Sequence, residues 1–221
     1  NNWGFSHGLS WNIPSWSIST EFAAYLFFPL LTLLFKFKSK ILHILYITIA
    51  AFILHYIFIL NDISYIGGNI SKLSLIRCII EFFIGMCVWN IYINIPKTLI
   101  YISSTIIVTS CLIMGGVIKG YIPEVMYVPI SLALLLFGLV TFNEQCRINF
   151  LFFPILIYLG EISYSIYLSH YFIKDIFKML FLHESVASAE WLMSYFITVI
   201  IFSMITYRYI EQPMRYKISA M

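Results

Sequence analysis

Read along the chain, apolar residues come in long runs separated by short polar breaks. Seven runs stand out, at residues 16–35, 41–60, 75–93, 99–114, 125–142, 156–180 and 191–209. None alternates polar and apolar positions. Residues 49–60 read IAAFILHYIFIL, apolar on every side except for His55, which is taken as structural. A run of about 20 such residues crosses a hydrocarbon core of about 30 Å as a helix. Irregular chain there would leave backbone groups unpaired, and a transmembrane strand would need polar alternation. The fourth and fifth runs are short and need flanking residues to complete a crossing. The pattern predicts an all-α fold, a polytopic transmembrane helix bundle of about seven spans. The longest breaks are 61–74, with the turn signal Gly67-Gly68-Asn69, and 115–124.

The breaks also orient the bundle. With the first span ending inside, the inner side holds Lys36, Lys38, Lys40, Lys97, Arg147, Arg208, Arg215 and Lys217, eight of the 13 basic residues. The outer side holds Lys72, Arg77, Lys119, Lys174 and Lys178. Positive residues concentrate on cytoplasmic loops, so the N-terminus is expected outside and the C-terminus in the cytoplasm. The chain starts at Asn1, without Met and without a basic region leading into an apolar stretch. It is therefore read as the C-terminal part of a longer protein.

Composition agrees with lipid as the solvent. Of 221 residues 61% are hydrophobic, 19% aromatic and only 10% charged. Soluble domains carry about 25% charged residues, so a soluble enzyme, a nucleic-acid binder and a disordered segment are all disfavoured. Cys78, Cys87, Cys111 and Cys146 show neither CxxC nor metal-ligand spacing. They read as small apolar fillers, and no metal or bound cofactor is expected.

Ionisable groups inside such runs are functional candidates by default. Three places carry them. In Pro14-Ser15-Trp16-Ser17-Ile18-Ser19-Thr20-Glu21, proline starts a helix, hydroxyls are available as caps, and Glu21 shares a face with Ser17. Arg77 and Glu81 stand four apart at the outer end of the third run, able to pair or to bind a polar ligand, with Gly85 a turn beyond for close helix packing. In residues 160–171, helical spacing gathers Ser163, Tyr167 and His170 on one face with Tyr164 and Tyr171 beside it, a candidate polar pocket. Glu211 lies at the inner boundary, where Arg208 or Arg215 would anchor it. No nucleophile elbow, HExxH, phosphate loop or acidic metal pair occurs.

Four segments in order resemble the membrane-bound acyltransferase 3 family: Pro14-Ser15-Trp16-Ser17-Ile18-Ser19-Thr20-Glu21-Phe22 with Tyr25-Leu26-Phe27-Phe28-Pro29, residues 77–86 from Arg77 to Met86, residues 158–170 from Tyr158 to His170, and residues 209–215 from Tyr209 to Arg215. Thr20 stands where valine is common, and Ser169 where tryptophan often precedes the histidine. The resemblance implies an integral enzyme of about ten helices in the plasma or inner membrane. Its reaction moves an acyl group, most often acetyl from acetyl-CoA as co-substrate, onto a hydroxyl of a cell-surface saccharide or related envelope molecule. The seven runs then correspond to the last seven helices, 1–221 forming one N-terminally truncated domain, itself expected to be inactive if the preceding helices are absent. The family's central histidine and further arginines belong to helices before Asn1, and His170 does not match that histidine. Within this chain, depth and spacing make Glu21, Arg77 and His170 the candidates for catalysis, Glu21 to orient the absent histidine or the acceptor and Arg77 to hold polar groups of donor or acceptor. The same reasoning gives Trp16, Ser17, Ser19, Glu81, Ser163, Tyr164 and Tyr167 for the cavity lining and leaves Glu211 and Arg215 as boundary residues. The rival readings are a saccharide or lipid exporter, which would call for paired broken helices in two halves, and a structural or sensory bundle.

Overall fold

The runs become helices whose ends are set by local chemistry. The computed structural model describes residues 14–36, 39–94, 102–145, 152–181 and 189–219. Lys38, Lys97, Cys146 and Arg147 and the first residues of the fourth run lie outside the described residues. Helix α1 is Ser15–Thr32, starting directly after Pro14 and closing past Pro29 in a tighter turn, Leu33–Lys36. Helix α2, Lys40–Leu60, is capped by Ser39, whose hydroxyl accepts the Leu42 N–H at 3.5 Å. Helix α3, Ile70–Ile93, begins after Asn69, which sits in the left-handed region at φ 45°. Helices α4, Ser103–Ile118, and α5, Glu124–Gln145, follow.

The sixth run is two helices, α6 (Pro154–Glu161) and α7 (Ser163–Phe181), separated at Ile162, which leaves helical geometry at ψ −2°. Proline opens α6 at the position where a missing N–H is harmless. The last run is longer than its apolar core: α8 (Ala189–Thr206) passes through one widened π-type turn, Tyr207–Glu211, into α9 (Gln212–Ser219).

Among the described residues, five helices are long and apolar enough to span a membrane: Ser15–Phe35, Lys40–Leu60, Lys72–Ile93, Glu124–Glu144 and Ala189–Ile218. Ser103–Ile118 is apolar but shorter, and α7 carries Lys174, Asp175 and Lys178. The protein is an all-α, multi-pass membrane helix bundle. Its surface says the same: Ile41 is 81% exposed and Ile118 79%, whereas Thr20, His43, Ser74, Ser103, Ser110, Ser131, Thr141, Asn143, Ser165, Ser169 and Ser203 are buried. Apolar outside and small polar inside is the arrangement that lipid favours.

Contacts divide the chain into two units, the first from Trp16 through α5 and the second containing Pro14, Ser15 and α6 to α9. In the first, α5 runs along α4 and also touches α2 and α3. Gly138 permits the α4–α5 approach, since a Cβ there would lie 2.7 Å from Ile107 Cγ1 and 3.3 Å from the Ser103 carbonyl oxygen. Beside it the Ser110 hydroxyl donates to the Ser131 carbonyl at 2.6 Å. Leu54, Phe58, Leu73 and Val125 form the apolar core, and ring contacts among Phe35, His43, Tyr46 and Phe83 join the Leu33–Lys36 turn and α2 to α3. A Cβ at Gly85 meets nothing within 4 Å, so the close packing expected there is found at Gly138 instead. In the second unit α7 packs on α8, where the Ser169 and Ser203 hydroxyls meet, and Ser165, Ser169 and Ile173 of α7 are buried.

Candidate functional site

In the first unit, Arg77 is the hub. Its position on α3 brings the guanidinium carbon 5.2 Å from the centroid of the Trp16 ring on α1. Nη1 donates to the Ile66 carbonyl at 2.6 Å, tying the α2–α3 connection to the helix. Nε lies 3.6 Å from Glu81 Oε1, an ion pair too long for a hydrogen bond, and is buried with no hydrogen-bond partner. The Arg77 side chain is 17% exposed and that of Glu81 36%. A planar cation gripped on three sides is a rigid donor for a carboxylate, a phosphate or a carbonyl oxygen.

Glu21, exposed on α1, accepts the Tyr25 hydroxyl at 2.5 Å one helical turn on. Tyr25 also packs edge-on against Phe82 of α3. Two hydroxyls near the helix start bond backward along it: Ser19 donates to the Trp16 carbonyl at 2.8 Å and Thr20 to the Ser17 carbonyl at 2.9 Å. Cys78, a residue that sequence reading passed over as a filler, is hydrogen-bonded with Thr20 and lies within the electrostatic reach of Glu81, Glu21 and Arg77. Its place directly after Arg77 on α3 was the available signal. Trp16, Glu21, Arg77 and Glu81 therefore share one neighbourhood.

The second unit arranges its candidates differently. Ser163 is exposed and donates to the Gly160 carbonyl at 2.7 Å. Tyr167 donates to the Pro14 carbonyl at 3.0 Å. His170 is half-buried, its Nδ1 2.6 Å from the Tyr167 carbonyl, while the Tyr195 hydroxyl donates to the His170 carbonyl at 3.0 Å. None of these three is in the lining of the cavity described next. A cavity of about 700 Å³ opens instead beside the α7–α8 contact, lined by Tyr164, Ser165 and Ser169 of α7, Thr206, and Glu211 and Arg215 beyond. Ser165 donates to Glu211 Oε2 at 2.5 Å, Arg215 donates to Glu211 Oε1 at 2.5 Å, and the Ser169 and Ser203 hydroxyls are 2.9 Å apart. Ser165 and Ser169 were the missed residues. With Ile162 three residues before and Ile173 four after, they form the buried stripe of α7.

These features define a class first: a polytopic membrane protein that buries small polar side chains and holds an arginine–glutamate–tryptophan cluster where its helices meet a connection. Among the described residues no cluster of His, Cys, Asp and Glu has the makings of a metal site. The chain belongs to the acyltransferase domain family, whose profile matches residues 2–208. It is a membrane acyltransferase. No curated protein and no solved structure matches it.

Proposed function

We propose that the protein is an O-acyltransferase that moves an acyl group, acetyl above all, from acyl-CoA to a hydroxyl of a cell-surface saccharide or related envelope molecule. In this reading the chain contributes the last seven of about ten helices as a single domain of the plasma or inner membrane. Its first residues face outward and its C-terminus faces the cytoplasm. The acceptor oxygen attacks the thioester carbonyl, a C–O bond forms and the C–S bond breaks. The hydroxyl proton passes to a base, and the CoA sulfur leaves as thiolate and is protonated. Such a reaction needs a base for the proton and fixed donors for the developing oxyanion.

The observation that carries the reading is the Arg77 cluster, a guanidinium fixed by Ile66, Glu81 and Trp16. Arg77 holds polar groups of donor or acceptor, and Glu21, with Tyr25 on its carboxylate, orients the base or the acceptor hydroxyl. Trp16, Ser17, Ser19 and Glu81 line that side. In the second unit, Ser163, Tyr164, Tyr167 and His170 are the candidate hydrogen-bonding residues, and Glu211 and Arg215, which pair with each other, are boundary residues. The family resemblance assigns the base to a histidine in a preceding helix rather than to His170.

The test is Glu21→Gln and His170→Gln in the full-length enzyme, with labelled acetyl incorporation and membrane protein level measured together. Loss of incorporation at constant level supports the assignments, and normal incorporation makes the residues structural.

A further inference from the structure

One cleft of the first unit contains none of the residues assigned above. It lies between the α2–α3 and α4–α5 connections, has a volume of about 520 Å³, and is lined by Ser64, Tyr65, Gly120, Tyr121 and Glu124 among others. That volume is in the range of small-molecule sites. Tyr65 is 58% exposed and Tyr121 78%, so both tyrosines that line the cleft are largely uncovered.

Short capped turns hold both rings. The Gly68 N–H donates to the Tyr65 carbonyl at 3.1 Å. A Cβ at Gly68 would fall 2.3 Å from Ile63 and 3.4 Å from the Tyr65 ring, so glycine alone lets this turn fold under the tyrosine. On the other side α4 ends with the Gly120 N–H on the Val117 carbonyl at 2.9 Å and the Tyr121 N–H on the Gly116 carbonyl at 3.0 Å. Gly120 takes φ 73°, the left-handed conformation that such a helix stop requires. The residue after Tyr65 is Ile66, whose carbonyl holds Arg77. The cleft therefore adjoins the arginine cluster by one residue of chain.

We propose that this cleft binds the saccharide of the acyl acceptor, with Tyr65 and Tyr121 against sugar ring faces and Ser64 and Glu124 on sugar hydroxyls. A pyranose has apolar C–H faces and a rim of hydroxyls. It matches flat, electron-rich rings flanked by a carboxylate and a hydroxyl, whereas an acyl chain would want walls like the apolar cavity of about 350 Å³ lined by Ile44, Val88, Ile130 and Phe137. Both connections lie on the outer side in the orientation proposed above, where an envelope glycan is found. The inference rests on the acyltransferase reading with a saccharide acceptor.

The experiment uses the full protein in nanodiscs with short oligosaccharides of N-acetylglucosamine and of glucose. Saturation-transfer NMR reads their binding, labelled acetyl-CoA binding serves as the donor control, and acetylation of envelope material is followed in parallel. Tyr65→Ala and Tyr121→Ala are expected to weaken oligosaccharide binding about tenfold each, the value of one aromatic contact, while Tyr→Phe at either position retains it and donor binding is unchanged. Equal oligosaccharide binding by the alanine variants overturns the cleft assignment. So does a wild-type protein that acetylates the envelope yet binds neither oligosaccharide. A wild-type protein that transfers acetyl to no saccharide removes the acceptor reading itself, a separate outcome.

Discussion

Substituting Gly138 tests the packing of the first unit most sharply. Alanine there places a Cβ 2.7 Å from Ile107 Cγ1 and 3.3 Å from both the Ile107 nitrogen and the Ser103 carbonyl oxygen. Ile107 Cγ1 belongs to a β-branched side chain with little freedom in a helix, and the other two atoms are backbone, so α4 and α5 must separate by a few tenths of an ångström. Overpacking of this kind costs about 1–3 kcal/mol. Replacing glycine in a helix returns up to about 1 kcal/mol of propensity, leaving a net loss of about 1 kcal/mol for Gly138→Ala, and more for Gly138→Val. The Ser110 to Ser131 hydrogen bond on the same crossing is strained in proportion. Gly115→Ala, on α4 with nothing within 4 Å of its Cβ, is the control and is expected to be neutral or slightly stabilising. Thermal unfolding of the purified variants in nanodiscs, followed by loss of monodispersity, gives the order Gly115→Ala at or above wild type, then Gly138→Ala, then Gly138→Val. A Gly138→Ala protein as stable as Gly115→Ala would refute the close crossing.

Two further substitutions separate the clusters. Glu211→Gln keeps an acceptor for Ser165 and loses only the pairing with the largely exposed Arg215 side chain, so the melting temperature should fall little, by the equivalent of under about 1 kcal/mol. Glu211→Ala removes the acceptor for both and is expected to cost about 1–3 kcal/mol; equal melting of the two variants would contradict the network. Arg77→Lys retains charge but cannot hold the Ile66 carbonyl, Glu81 and the Trp16 face together. Acyl transfer should drop at least about tenfold, the value of one lost charge-assisted hydrogen bond, at unchanged membrane level, whereas wild-type activity would make Arg77 a dispensable helix-end pair.

How much of this was legible beforehand follows from which forces act along the chain and which act between helices. The apolar runs read directly as helices because the bilayer leaves no alternative for the backbone, and Pro14 and Pro154 mark starts by what proline cannot do. The break at Ile162 falls between Gly160-Glu161 and Ser163, a polar interruption that helical spacing alone reads as one face of a continuous helix. The face of α7 that packs was also hidden. Hydroxyls occur on both faces, and Ser163 donates locally to the Gly160 carbonyl at the end of α6. Ser165 became informative only through Glu211, 46 residues away. Gly85 and Gly138 look alike in sequence; only the neighbouring helix distinguishes an open glycine from an interlocked one. Arg77 and Glu81 were readable because four-residue spacing is local, while the grip on Ile66 and Trp16 is tertiary.

The most direct measurement is the fate of the acyl group. Membranes containing the full-length protein are incubated with acetyl-labelled acetyl-CoA, the envelope glycans are isolated, and the label is tested for release by mild alkali, which cleaves O-acetyl esters and leaves amides intact. The account predicts alkali-labile label on glycan, stoichiometric with freed CoA thiol and lost in Arg77→Gln at equal protein level. Thiol release without ester on any envelope hydroxyl, or ester formation indifferent to Arg77, would contradict it.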